Sequence, residues 1–284
     1  ESFKYTSVNS LVDSSWVLAN RPATLSHILL KTKLWNGLKA AELVFIDGQF
    51  APELSEFSNN HLHFVTPSFI PAGQSIDLMS DVSEQISKSS SLCKETPNSF
   101  LYLNQALSTD GVFFKINESV ELPIVFTFVN TQNQRAVSFP QVNGVLAASA
   151  RATIVENYVN LGGEEYWVCG NSKILVSQNA QLSLVQVQSL HGTASLIGNT
   201  QIIQKRDSRV ESLQISLGAR LCRQDLVVHL AGEGAEAKVD GLYLAGESQH
   251  VDHHTAIEHA MGNTASNQLY KGILGGEARA VFNG

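Results

Sequence analysis

The sequence predicts a mainly β protein, a solenoid of stacked strands preceded by a small α/β module. Three observations carry that prediction. A short pattern recurs from Ala150, Ala180, Ser208, Ala235 and Ala278, at spacings of 30, 28, 27 and 43 residues. Each copy opens with a small residue and then alternates polar and apolar side chains, as a half-buried strand requires. Other strand-like runs lie between the copies, at 173–176, 200–203, 225–230 and 241–245. Helical periodicity, present early in the chain, fades from about residue 100. Repeats of this length build solenoids, in which neighbouring coils bury a shared core. Short strands at such spacing also suit a β-sandwich. The test is whether residues from about 137 to 284 stack as coils or pair as antiparallel Greek keys.

Before the repeats, residues 24–35 place Leu25, Ile28, Leu29 and Trp35 near one helical face. Pro22 stands just ahead, where a helix tolerates proline. Residues 42–46 form an apolar strand, and Asp47-Gly48 after it is a strong hairpin-turn dipeptide. Residues 79–99 are rich in Ser and read as a helix or linker. The chain is therefore expected to divide into a 1–99 α/β module with a Ser-rich linker and a 100–284 solenoid core.

With 284 residues the chain can bury a sizeable core in one large or two modest domains. At 43% hydrophobic and 16% charged it is poorer in charge than the roughly 25% of ordinary globular proteins. A net charge of −7 and the lack of any Lys/Arg cluster argue against a nucleic-acid or membrane-surface partner. No apolar run reaches the roughly 20 residues of a membrane span. Cys93, Cys169 and Cys222 are far apart and odd in number, which reads as reduced thiols in the cytoplasm. The chain opens at Glu1 without an initiator Met and stops at Gly284 in strand-like sequence, so further segments are expected on both sides.

Few motifs point to chemistry. Gly232, Gly234 and Ala237 fit G-x-G-x-x-A, but a strand follows where a phosphate-binding helix would have to start. A turn between coils is the expected reading there. No Walker A loop, G-x-S-x-G elbow or Cys/His dyad is present, so no catalytic residues are expected. His61 and His63 would share a strand face. The densest set of metal-compatible groups is His250, Asp252, His254 and His259, with Glu258. Alternation would turn His250, Asp252 and His254 to one side. They are weak candidate metal ligands, and a polar solenoid face or subunit interface is the commoner use of such a row. Cys169 and Cys222 look like small buried hydrophobes.

Residues 1–6 resemble the E-x-W-K-Y-T element near the start of SufD proteins, with Phe3 in place of Trp. Residues 43–50, followed by Leu54 and Ser55, are similar to that group's V-F-V-D-G-x-F…L-S hairpin. Residues 100–106, Asp110-Gly111 and Pro123-Ile124 are similar to its F-x-x-L-N-x-A…D-G…P-I segment. The most specific stretch is 250–284, where His250, Asp252, Thr255, Ile257, His259, Ala260, Ser266 and 268–274 fill H-x-D…T-x-I-x-H-A…S-x-Q-L-Y-K-G-I-L. The ordered set resembles the SufB/SufD family of iron–sulfur cluster assembly scaffold proteins.

That resemblance implies a right-handed parallel β-helix and a non-catalytic scaffold. It also implies a SufB-like β-helix partner, a SufC-like ABC-type ATPase, no intrinsic cofactor, and a transient iron–sulfur cluster at the partner interface. The family's A-x-P-H-C-x-S stretch carries Gly262, Asn263 and Thr264 in place of Pro, His and Cys. Its A-D-D-V-x-C-S-H-G-A-T segment and the C-terminal helices that meet the ATPase would follow Gly284. An unrelated alternative is a carbohydrate-processing or carbohydrate-binding β-helix, which would need paired carboxylates with Arg or Lys on one exposed face.

Overall fold

The computed structural model describes residues 3, 6–22, 38–58, 62–91, 98–132, 134–162, 165–190 and 192–284. The chain begins with α1 (Asn9–Val12), β1 (Val17–Leu18), β2 (Ala41–Ile46), β3 (Gln49–Phe50), β4 (His63–Val65), α2 (Asp77–Ser90) and α3 (Ser99–Leu107). There follow β5 (Val112–Ile116), β6 (Ile124–Asn130), β7 (Ala136–Ser138), β8 (Gln141–Leu146), β9 (Arg151–Asn160), β10 (Tyr166–Val176) and β11 (Gln181–Gln188). The last seven strands are β12 (Ser195–Gln204), β13 (Arg209–Ser216), β14 (Leu221–Leu230), β15 (Glu236–Ala245), β16 (His250–His259), β17 (Ala265–Leu274) and β18 (Arg279–Asn283).

From β8 onward successive strands alternate between two sheets. The first runs β18-β16-β14-β12-β10-β8-β5-β4, with β7 and β1 beside β10, and the second runs β17-β15-β13-β11-β9-β6-β2-β3. Their pairs are parallel except at the β2–β3 and β4–β5 ends. A chain that crosses between two sheets and returns one rung along is a parallel β-helix, so the sandwich is excluded. Strands from the first 99 residues join the same sheets: β2 pairs with β6, and β4 with β5. Coils therefore begin well ahead of residue 137.

The repeats starting at Ala150, Ala180, Ser208 and Ala235 lead into β9, β11, β13 and β15, stacked in register with Gln181 beside both Arg151 and Arg209. The fifth copy does not continue that column. Ala278 leads into β18 of the first sheet, where Arg279 pairs with His250. The true continuation is β17, with Ala265 beside Glu236. The last two corners into the first sheet are of the same kind as those into the second, a tight turn with one residue of positive φ inside it, so residue types there do not say which sheet comes next. Ser149, Asn179, Asp207, Gly234 and Asn263 make the corner into the second sheet, at φ 54–72°, and Glu247 (51°) and Gly276 (63°) make it into the first. Ser, Asn and Asp tolerate this region because their short polar side chains bond locally. Asn179 Nδ2 donates to Ser149 Oγ at 3.0 Å, one coil to the next.

The hairpin expected at Asp47-Gly48 is present between β2 and β3, with φ of 52° and 83° at the two residues. The helix expected over 24–35 lies outside the described residues, as do His61 and Cys93. In the Ser-rich segment α2 forms, burying Val82 and Ile86 against Val145, Leu175 and Ile203. Residue 100 does not open a strand-only region, because α3 starts there. Asn98 caps it by accepting from Phe100 N at 2.9 Å. Asn104, fully buried, donates to the carbonyls of Pro140 (3.0 Å) and Cys169 (2.7 Å), tying α3 to the first sheet.

Inside the solenoid, rows of Leu, Ile, Val and Ala form one continuous cluster that includes Ile154, Leu184, Val210, Val239, Leu196 and Val228. One inward row breaks the pattern. Glu156, Gln186, Gln214, Gly241 and Tyr270 stack through five coils of the second sheet. Gly241 is required there: an added Cβ would lie 2.0 Å from Tyr270 Cε1, in the path by which that phenol reaches Gln214 Oε1 at 2.8 Å.

Candidate functional site

Strand alternation turns Val251, His253 and Thr255 of β16 inward and His250, Asp252 and His254 outward, on the face expected from sequence. On β14, Arg223 lies beside Asp252 and Asp225 beside His254. Arg223 is 2% exposed and sits at the centre of the group. Its Nη1 donates to Asp252 Oδ2 at 2.8 Å and its Nη2 to Asp225 Oδ1 at 2.8 Å. His254 Nε2 lies 3.0 Å from Asp252 Oδ1 and 3.3 Å from Arg223 Nη1.

The N-terminal segment closes the group from above. Thr6, 1% exposed, donates its hydroxyl to Asp252 Oδ2 and lies 3.0 Å from His250 Nε2. The Phe3 ring covers the Arg223 guanidinium at 4.3 Å, a cation–π contact, and meets Phe100 of α3 edge-on. Asn98 Nδ2, ahead of α3, reaches Asp225 Oδ2 at 2.9 Å. Three segments far apart in sequence thus meet on one buried ion cluster.

Burial raises the Asp225 carboxyl, outweighing the attraction of Arg223. Burial also lowers His250, against the pull of Asp252 and together with the repulsion of Arg279. Asp252 and His254 lie against the Arg223 guanidinium, which already supplies the positive charge between them, while His250 meets Thr6 instead. Among the described residues no three His, Cys, Asp or Glu side chains surround a common point. His259 stands apart at the end of β16, its Nδ1 2.8 Å from Thr264 Oγ1 and its Nε2 3.0 Å from Ser266 Oγ.

Beside the cluster, a cleft of about 370 Å³ lies between α3 and the outer face of the first sheet. Asn171, Asn199, Asp225 and His254 occupy one register row along its floor, and Tyr102 and Gln105 stand on its wall. His229, deeper in, pairs through Nδ1 with Glu258 Oε2 at 2.6 Å.

The 232–237 motif forms a turn that leads directly into β15, with no helix for a phosphate to cap. His63 lies on β4, where its Nδ1 is 3.3 Å from Gln74 Nε2. Cys169 and Cys222 are fully buried, and burial pushes their thiols up to about 12 and about 11. Paired carboxylates on an exposed face, which a carbohydrate-processing helix would need, have their nearest counterpart in Asp225 and Asp252, both committed to Arg223. Arg223, Asp225, Thr6 and Phe3 were not among the candidate site residues read from the sequence. The coil period held a signal for Arg223, which lies 29 residues before Asp252.

The family model described as the SufBD core domain of the SUF system for FeS cluster assembly matches residues 128–284. Over its whole length the chain is 24% identical to the iron–sulfur cluster assembly protein SufD of Escherichia coli (strain K12), covering 64% of that protein. Over 86% of its length it is 29% identical to an iron–sulfur cluster assembly SufBD family protein of Synechocystis, covering 55% of it. A SufBD family protein of Mycobacterium tuberculosis is 31% identical over 117 residues, 41% of this chain and 29% of that one. The chain thus spans just over half to just under two thirds of the length of its first two relatives. No described helix is long and apolar enough to cross a membrane.

Proposed function

The chain belongs to the SufBD family of iron–sulfur cluster assembly proteins, and on that footing we propose that it is a non-catalytic scaffold subunit of a cluster assembly complex. In this reading it pairs with a SufB-like β-helix subunit, and a SufC-like ABC-type ATPase drives the pair in the cytoplasm. The cluster is transient cargo rather than a resident cofactor. In this reading its ligands come from outside Cys169 and Cys222, which are fully buried in the solenoid wall.

The observation that carries the proposal is the Arg223 cluster. It supports an outer surface whose His250 and His254 are fixed by two strands, an N-terminal segment and a helix cap, as a docking surface requires. The two histidines serve as polar contacts near the partner rather than as iron ligands, since Arg223 already holds Asp252 and stands next to His254.

Co-expression of this chain, tagged, with SufB-like and SufC-like subunits of its own genome is the test. A stable complex containing both is expected, and recovery of the tagged chain alone would defeat the proposal. Changing His250→Ala and His254→Ala together should lower complex yield a few-fold and leave folding intact. Loss of stoichiometric iron from an anaerobic complex whose assembly is unchanged would overturn the contact role. The isolated chain should neither hydrolyse ATP nor bind it tightly in calorimetry.

A further inference from the structure

In the first sheet the inward row opposite Glu156 and Gln186 reads Gly170, Gly198, Gln224, His253 and Phe282, in register. Two successive coils therefore offer no side chain to fill the space between the sheets. The result is a cavity of about 10 Å³ whose lining includes Tyr158, Ser172, Gln186, Thr200, Gln214 and Gln224 besides the glycines, with Leu196 and Asn199 at its edge. A volume of that order, measured for a water-sized sphere, admits one water and nothing larger.

The hydrogen bonds around the cavity are almost complete. Gln186 Nε2 donates to Glu156 Oε2 and to Thr200 Oγ1, each at 2.9 Å. Gln214 Nε2 donates one hydrogen to Gln186 Oε1 at 3.2 Å, which also accepts from Thr200 Oγ1 at 3.3 Å. Tyr158 donates to Glu156 Oε2 at 3.0 Å, and Ser172 Oγ lies 2.8 Å from Glu156 Oε1. One acceptor is left over. Gln224 Oε1 is buried without a hydrogen-bond partner, in a side chain that is 4% exposed. A native interior rarely leaves such an atom unmet unless solvent completes it.

We propose that one ordered water molecule occupies this cavity, donating to Gln224 Oε1 and accepting from the second amide hydrogen of Gln214. Its other hydrogen meets the spare lone pairs of Thr200 or Tyr158, giving the three bonds usual for buried water. The occupant must be neutral. The one carboxyl nearby, Glu156, is engaged at both oxygens, and burial favours its protonated form. A metal cation would meet only neutral hydroxyl and amide oxygens there, with no free carboxylate to balance its charge. The water adds Gln224 of the first sheet to a network in which Ser172 and Thr200 already bond Glu156 and Gln186 of the second.

A crystal structure that resolves ordered solvent should show a single peak within hydrogen-bond distance of Gln224 Oε1, and an empty cavity would overturn the assignment. Crystals soaked in rubidium chloride should show no anomalous signal there; a signal would mean a cation and equally overturn it. Gly198→Ala gives a solution test that preserves the fold, because the added Cβ has Gln224 Cγ as its nearest neighbour at 3.8 Å, an ordinary contact. Water relaxation dispersion should count one fewer long-lived water in that variant than in the parent protein. Equal counts would refute the proposal.

Discussion

Arg223 and Asp252, register partners on β14 and β16, face each other with Nη1 2.8 Å from Oδ2 and side chains 2% and 0% exposed. A charge this deep is tolerable only while its partners stay, since the cost of removing it from water is repaid by specific bonds. Here those bonds also hold Thr6, Phe3 and Asn98.

Arg223→Ala should therefore cost about 3–5 kcal/mol, because Asp225 and Asp252 are left buried without a counter-charge. Chemical denaturation measures it. A loss below about 1 kcal/mol, the usual worth of an exposed pair, would mean that the cluster is solvated.

Glu156 gives a pH signature. Burial lifts its pKa above the ordinary 4.5, ahead of the opposing bonds from Gln186, Ser172 and Tyr158. The folded state then binds the carboxyl proton more tightly than the unfolded chain. Its contribution is complete below pH 4.5 and is lost as pH rises through the folded pKa. Glu156→Gln mimics the neutral acid, so its stability relative to the parent should grow with pH above 4.5, by up to about 1.4 kcal/mol per unit. A difference independent of pH would refute this.

His253 has the opposite sign. Burial lowers it to about 4, ahead of the attraction of Asp252, so the folded state holds a neutral imidazole. Stability from this group is present above the ordinary 6.5 and is lost as pH falls toward 4. NMR titration should show no protonation of His253 at pH 6, where an ordinary histidine is mostly charged.

Native Cys169 and Cys222 should resist alkylation at pH 8, with thiols raised to about 12 and about 11 by burial. Both should label readily in denaturant. Fast labelling of either in the folded protein would show that the solenoid wall opens there.

Gly241→Ala should cost about 1–3 kcal/mol from overpacking, because the new methyl would strike the Tyr270 ring and part it from Gln214. Tyr270→Phe in the same background should then cost nothing more, and a further loss would show that the phenol still reaches its amide.

Alternation and repeat length made much of this readable in advance. Asp47-Gly48 marked its hairpin, the copies at Ala150, Ala180, Ser208 and Ala235 marked one sheet, and His250, Asp252 and His254 took the same face. The Ala278 copy falls in the other sheet, which the pattern did not reveal, because the corner at Gly276 resembles those that lead into the second sheet. The helix α3 was hidden for another reason: its nine residues are held by Asn104 bonding to carbonyls 36 and 65 residues away. Thr6 meets His250 across 244 positions, and no pattern along a chain encodes such a contact.

The column of corners at Ser149, Asn179, Asp207, Gly234 and Asn263 makes the molecule a ruler with removable divisions. Each coil enters the second sheet through an equivalent bend, so deleting 180–207 would join one corner to the next without a new type of bend. Glu156 would then lie beside Gln214, another amide. The scaffold would shorten by one rung, about 4.8 Å. Surfaces on either side of the cut would keep their shape and change only their separation, so the distance a partner complex must span could be varied on its own.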